Sequence, residues 1–123
     1  MSKTATIVLA NSSNPEGHSR MIHAVQAAKE LKSAGQDVKI LFEGTGVQWL
    51  DAFHRGSDLV AQAHGLVFEE FKDLIEGACN SCATHRFNVS DSVKALGIDL
   101  LGPEGEHYSL GGLVADGYQV ITF

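Results

Sequence analysis

Two cysteines, Cys79 and Cys82, lie in the stretch EGACNSCATHRF, with His85 and Arg86 close behind them. A Cys-x-x-Cys pair supports four chemistries. It can exchange between dithiol and disulfide, supply half of a metal site, carry sulfane sulfur, or simply fill a tight junction with small side chains. As a redox pair, Cys79 attacks and Cys82 resolves one helical turn along, although the flanks lack the aromatic residue and proline of a thioredoxin-type motif. As a metal site, C-x-x-C-x-x-H offers three ligands where structural zinc takes four, usually from two clusters. His64 or His107 would have to supply the fourth. Haem attachment is excluded, because no histidine directly follows Cys82. Free cysteine is among the most buried residue types, so a purely structural pair stands beside the chemical ones.

The elements around this stretch decide what the pair can do. TATIVLA (Thr4 to Ala10) is a near-continuous apolar run, as in a strand buried on both faces. NSSNPEGHS reads as a polar loop, with Ser19 as a helix cap. From Arg20 to Ala34, Met21, Val25, Ala28 and Leu31 recur at helical spacing, and Gly35 stands where a left-handed cap residue belongs. DVKILF is a second strand, and VQWLDAF places Val47, Leu50 and Phe53 on one helical face. Arg55 to Gly65 fits either a loop or the end of that helix. LVFEEFKDLIEG predicts an amphipathic helix ending near Gly77, with Val67, Phe71, Leu74 and Ile75 along one side. Ala78–Cys79 then close a short strand, and Asn80 to Phe87 form a short helix. Ser90 caps another helix (Val93, Leu96) that stops at Gly97; IDLLG is a brief strand, YSLGGLVADG a short helix and YQVITF a last strand.

Strands alternating with helices imply right-handed crossovers. The expected fold is one α/β domain over residues 1–123, a three-layer α/β/α sandwich with a mostly parallel sheet of about five strands. In such sheets reactive groups gather at the carboxyl ends of strands. Three segments therefore matter: Asn11 to Ser19, Glu43 to Gly46, and Gly77 to Cys82. Cys79 falls at a helix amino terminus, where unpaired N–H groups favour a thiolate, and Arg86 adds positive charge if its side chain folds back.

Composition narrows the function classes. The net charge of −6 repels phosphate backbones, and the sequence shows no basic patch, so nucleic acid is not an expected partner. No apolar run approaches the ~18 residues of a membrane span. The amino-terminal run is too short for a signal peptide, which points to a cytoplasmic protein, and two cysteines do not make a secreted disulfide framework. Ser12, Ser13 and Asn14 could meet a phosphate at a helix start, but no G-x-G-x-x-G or P-loop accompanies them. His23 reads as packing or surface, His54 has no partner pattern, and Trp49 reads as core or interface.

The segment GACNSCATHRFNV resembles the strand-to-helix turn of the DsrE/DsrF-like family, in which a cysteine precedes a short helix with basic residues. The opening IVLANSSNPEGHSRMIHAVQAAKELKSAGQDVKILFEGTGVQWL is similar to that family's first β–α–β unit, and DGYQVITF to its final strand. The resemblance spans nearly the whole chain and rests on the order of the three segments. It implies an α/β fold, a homo-oligomer (trimer or hexamer), and a cytoplasmic sulfur relay in which a cysteine carries a persulfide. Cys79 matches the sulfur-carrying position; Cys82 falls where relay subunits often have a small apolar residue. The implied partners are a sulfur donor or acceptor protein, or a small sulfane-sulfur compound. Cys79, Cys82, His85 and Arg86 are the candidate site residues, with neither cofactor nor metal expected. The alternatives are a non-catalytic binding or assembly module with a structural Cys-x-x-Cys, and a zinc or flavin binder.

Overall fold

The computed structural model describes residues 2–56, 67–103, 106 and 108–123. Five strands pair in parallel, in the order β4-β3-β2-β1-β5. They are β1 (Lys3–Val8), β2 (Asp37–Phe42), β3 (Ile75–Cys79), β4 (Leu100–Leu101) and β5 (Tyr118–Thr122). The helices are α1 (Pro15–Ser33), α2 (Gln48–Arg55), α3 (Phe68–Phe71), α4 (Ser90–Ala95) and α5 (Leu110–Ala115). Short 3-10 turns occupy Gly44–Val47 and Lys72–Leu74, and a π turn spans Cys82–Arg86.

The three-layer sandwich follows from the strand order. From β1 to β4 the chain steps across the sheet in one direction, so right-handed crossovers carry α1, α2 and α4 over one face. The return from β4 to β5 runs the other way and lays α5 on the opposite face. Two core clusters match the two faces. The larger joins Met21, Ala24, Val25 and Ala28 of α1 to Val8, Ile40 and Phe42, and continues through Trp49, Leu50, Phe71 and Val93. The smaller holds Ala5, Ile7, Leu41, Leu113 and Tyr118. Strands buried on both faces explain why residues 4–8 are apolar or threonine without alternation.

Several boundaries differ from those the sequence suggests. α1 begins at Pro15, five residues before Arg20, and Ser19 lies inside it. The cap is Asn14, whose side chain accepts from Gly17 N–H at 2.7 Å, with Pro15 in the first helical position where its missing N–H costs nothing. Gly35 does take the left-handed conformation, φ 88°. α2 stops at Gly56, φ 65°; the open part of Arg55 to Gly65 beyond it lies outside the described residues. The helix expected over LVFEEFKDLIEG is one turn of α3 and one 3-10 turn, because Ile75, Glu76 and Gly77 open β3 instead. Pairing of Ile75 with Ile40 overrides the helical periodicity. Ser90 is the first residue of α4 and makes no side-chain cap; Val89 precedes it.

β3 also carries a bulge. Ile40 pairs with Ile75 and Leu41 with Gly77, which leaves Glu76 unopposed and reaching Lys39 at 3.4 Å. A bulge re-aims the residues beyond it, and here those are Gly77, Ala78 and Cys79. Among the described residues no helix is long and apolar enough to cross a membrane.

Candidate functional site

Cys79 is the last residue of β3, paired with Leu101, at the carboxyl edge of the sheet. Asn80 pins the exit from the strand: its amide nitrogen donates to Gly102 O at 3.3 Å, and its oxygen accepts from the Thr84 hydroxyl at 2.9 Å. The chain then widens into the π turn, closed by Phe87 N–H donating to Cys82 O at 3.0 Å. Asn88, at φ 53°, takes the left-handed conformation although it is not glycine, and ends the turn. π turns cost hydrogen-bond geometry and recur at functional positions.

This junction brings the two cysteines together. Neither is in a disulfide, they approach to 3.3 Å, and the Cys82 thiol is hydrogen-bonded to Cys79. Both are about 1% exposed. Burial pushes the Cys82 thiol up, and the contact with Cys79 adds to the rise. Gly44's backbone and the charge of Arg86 act in the opposite direction without reversing it.

His85 and Arg86 are placed differently. Both side chains are exposed, and the Arg86 guanidinium lies 4.9 Å from the centre of the Phe87 ring. Arg86 thus acts on the pair through its field rather than by burial beside it. Cys79, Cys82 and His85 do not converge: among the described residues no three His, Cys, Asp or Glu side chains gather as a metal site would require. His64 and His107, named above as a fourth zinc ligand, lie outside the described residues.

The Gly44–Val47 turn covers the pair from β2. It fits there because residue 46 is glycine: a Cβ at that position would stand 1.9 Å from Val8 O. Gly46 N–H donates to Glu43 O at 2.8 Å and Thr45 Oγ1 to Leu9 O at 2.7 Å, so the turn is fixed to the end of β1. Glu43 itself is buried, 7% exposed. Neither Glu43 nor Gly44 stands out chemically in the sequence. Their signal is positional, as the first residues after the apolar strand DVKILF.

The Asn11–Ser19 segment borders a separate cleft of about 380 Å³ at the carboxyl ends of β1 and β5, lined by Leu9, Asn11, Asn14, Arg20, Thr45 and Phe123 among others. The cysteines do not line it. Its polar groups are engaged within the chain. Arg20 bonds Glu16 at 2.8 Å, Ser13 bonds Asn11, and the His18 ring donates to Ser12 O at 2.9 Å while resting edge-on against Trp49. Trp49 is core, with its indole N–H donating to Ala10 O at 3.0 Å.

No family model matches the chain, and no solved structure does so either. It is 37% identical over 106 residues to "Uncharacterized protein MJ0733" of Methanocaldococcus jannaschii, an alignment covering 82% of this chain and 78% of that one. The chain belongs to the family of that archaeal protein.

Proposed function

We propose that this protein is a small cytoplasmic sulfur carrier or sulfurtransferase of the DsrE/DsrF-like kind, working through Cys79 and Cys82 as a pair. The observation that supports it is two thiols in mutual contact at the carboxyl edge of an all-parallel sheet. The Cys79 thiolate attacks the outer sulfur of a sulfane donor such as thiosulfate. A sulfur–sulfur bond forms on Cys79, the donor's sulfur–sulfur bond breaks, and sulfite leaves with the electron pair. Cys82 then attacks the inner sulfur of this persulfide, expelling hydrosulfide and closing a Cys79–Cys82 disulfide. An external dithiol reduces that disulfide and is itself oxidised. The partners are accordingly a sulfur donor or acceptor protein, or a small sulfane-sulfur compound, with the chain acting as a homo-oligomer, a trimer or hexamer.

The burial of both sulfurs favours a second reading, in which the pair fills the strand-to-turn junction and the chain is a binding or assembly module. Intact-mass spectrometry after exposure to thiosulfate or polysulfide separates the two. The carrier gains the mass of a sulfur atom on Cys82→Ser, and Cys79→Ser gains none. Cysteines that take up no sulfur in the folded chain, with substitutions altering stability alone, contradict the carrier.

A further inference from the structure

A thiol held out of water must lose its proton before its sulfur can attack, and something nearby has to take it. The exposed His85 and Arg86 do not sit beside the sulfurs, and the turn after Cys79 is only five residues long. Among the described residues, Glu43 is the one acidic side chain in the core. Its backbone stays extended past the end of β2, φ −138° and ψ 163°, and its N–H donates to Val8 O at 3.0 Å, continuing the sheet ladder. Beyond the bulge Phe42 pairs with Ala78, the residues immediately before Glu43 and Cys79. The following residue, Gly44, reaches Cys82 through its backbone.

We propose that Glu43 is the proton acceptor of the Cys79–Cys82 pair. The inference rests on the dithiol reading above and adds a residue to it. The thiol proton passes to a carboxylate oxygen as the sulfur's electron pair attacks. When hydrosulfide departs, the proton goes to it and the carboxylate is restored. A carboxylate in water is a poor base for a thiol, about 4.3 against about 8.5. Burial disfavours the charged form of both groups, so proximity rather than a matched proton affinity favours the transfer. The titratable and charged groups that act on Cys82 beside Gly44 are Cys79 on β3 and, through its field, Arg86 on the π turn; β1 ends at Val8, whose carbonyl accepts the Glu43 N–H.

The test is the rate at which the folded chain reduces a small aromatic disulfide between about pH 6 and about pH 9, which needs thiols but no sulfur donor. Glu43→Gln is expected to slow the reaction about 100-fold at neutral pH and to recover as the thiols ionise unaided. Glu43→Asp is expected to keep part of the neutral rate. A Gln variant with the wild-type profile, or one faster at neutral pH because a repelling carboxylate is gone, overturns the role of Glu43 and leaves the dithiol reading standing. A wild type whose thiols react only after unfolding overturns both. Infrared difference spectra of the wild type supply a second measurement, independent of how the variants fold. Blocking the thiols is expected to change the signal of a buried carboxyl, and no change contradicts the proposal.

Discussion

At the scale of the residue, the chemistry turns on what burial does to Cys82. Its folded-state value lies above that of the unfolded chain, because burial and the Cys79 contact disfavour the thiolate. Between those two values the unfolded chain releases a proton that the folded chain keeps, so stability is full below about pH 8.5 and falls as pH rises through the folded value. Tyr118 adds a fall of the same sign beginning near pH 10, since burial and the hydrogen bond to Asp37 at 3.0 Å raise its phenol. Urea midpoints measured upward from neutral pH are expected to drop in both stages. Cys82→Ala is expected to remove the first stage while leaving the second. Cys79, Cys82, His85 and Arg86 were legible as candidates because cysteine, histidine and arginine announce chemistry by type. Glu43 was legible only as the first residue of a strand-end segment, since one glutamate among many gains a chemical role only when a strand end buries it.

At the scale of the element, the strand-to-turn junction at Cys79 was readable from the sequence, but the bulge that aims Cys79 was not. A bulge depends on which residue of the neighbouring strand is paired, and local periodicity carries no record of that. The same blindness hid the start of β3, because Ile75 and the preceding Leu74 also satisfy a helical stripe. Two element contacts give predictions. Ser92 on α4 donates to Asp51 Oδ1 on α2 at 2.6 Å, and Arg55 holds the same carboxylate at 2.9 Å. Burial pulls the Asp51 carboxyl upward, but the Ser92 and Arg55 hydrogen bonds outweigh it and hold the group below the ordinary carboxylate value. That stability is present above about pH 4 and is lost as pH falls through the lower folded value. Ser92→Ala is expected to cost about 1–2 kcal/mol at neutral pH and to flatten the acid limb of a urea-midpoint profile. The second contact is the covering turn: Gly46→Ala forces a methyl against Val8 O and is expected to cost about 1–3 kcal/mol in the same assay.

For the whole molecule, the alternation of strands and helices was enough to predict three layers and a parallel sheet, because a βαβ crossover has one hand and one geometry. Strand order lay beyond it: β5 returning to pair with β1 is a long-range choice between apolar edges of similar composition. That return leaves the two faces unequal. Among the described residues four helices serve the larger cluster, whereas the smaller is closed by α5, with Leu113 buried in it. Leu113→Ala is expected to cost about 2–5 kcal/mol, measured by urea unfolding. A loss below about 1 kcal/mol would show that the α5 face contributes little to the core.

The central claim is that Cys79 and Cys82 act on sulfur as a pair, and its most direct measurement is the mass of the Cys79–Cys82 peptide after one equivalent of sulfane sulfur. The wild type is predicted to finish as an internal disulfide with one sulfide released per chain, and Cys82→Ser to retain the added sulfur on Cys79. Recovery of both cysteines as unmodified thiols, with no sulfide released, would contradict it.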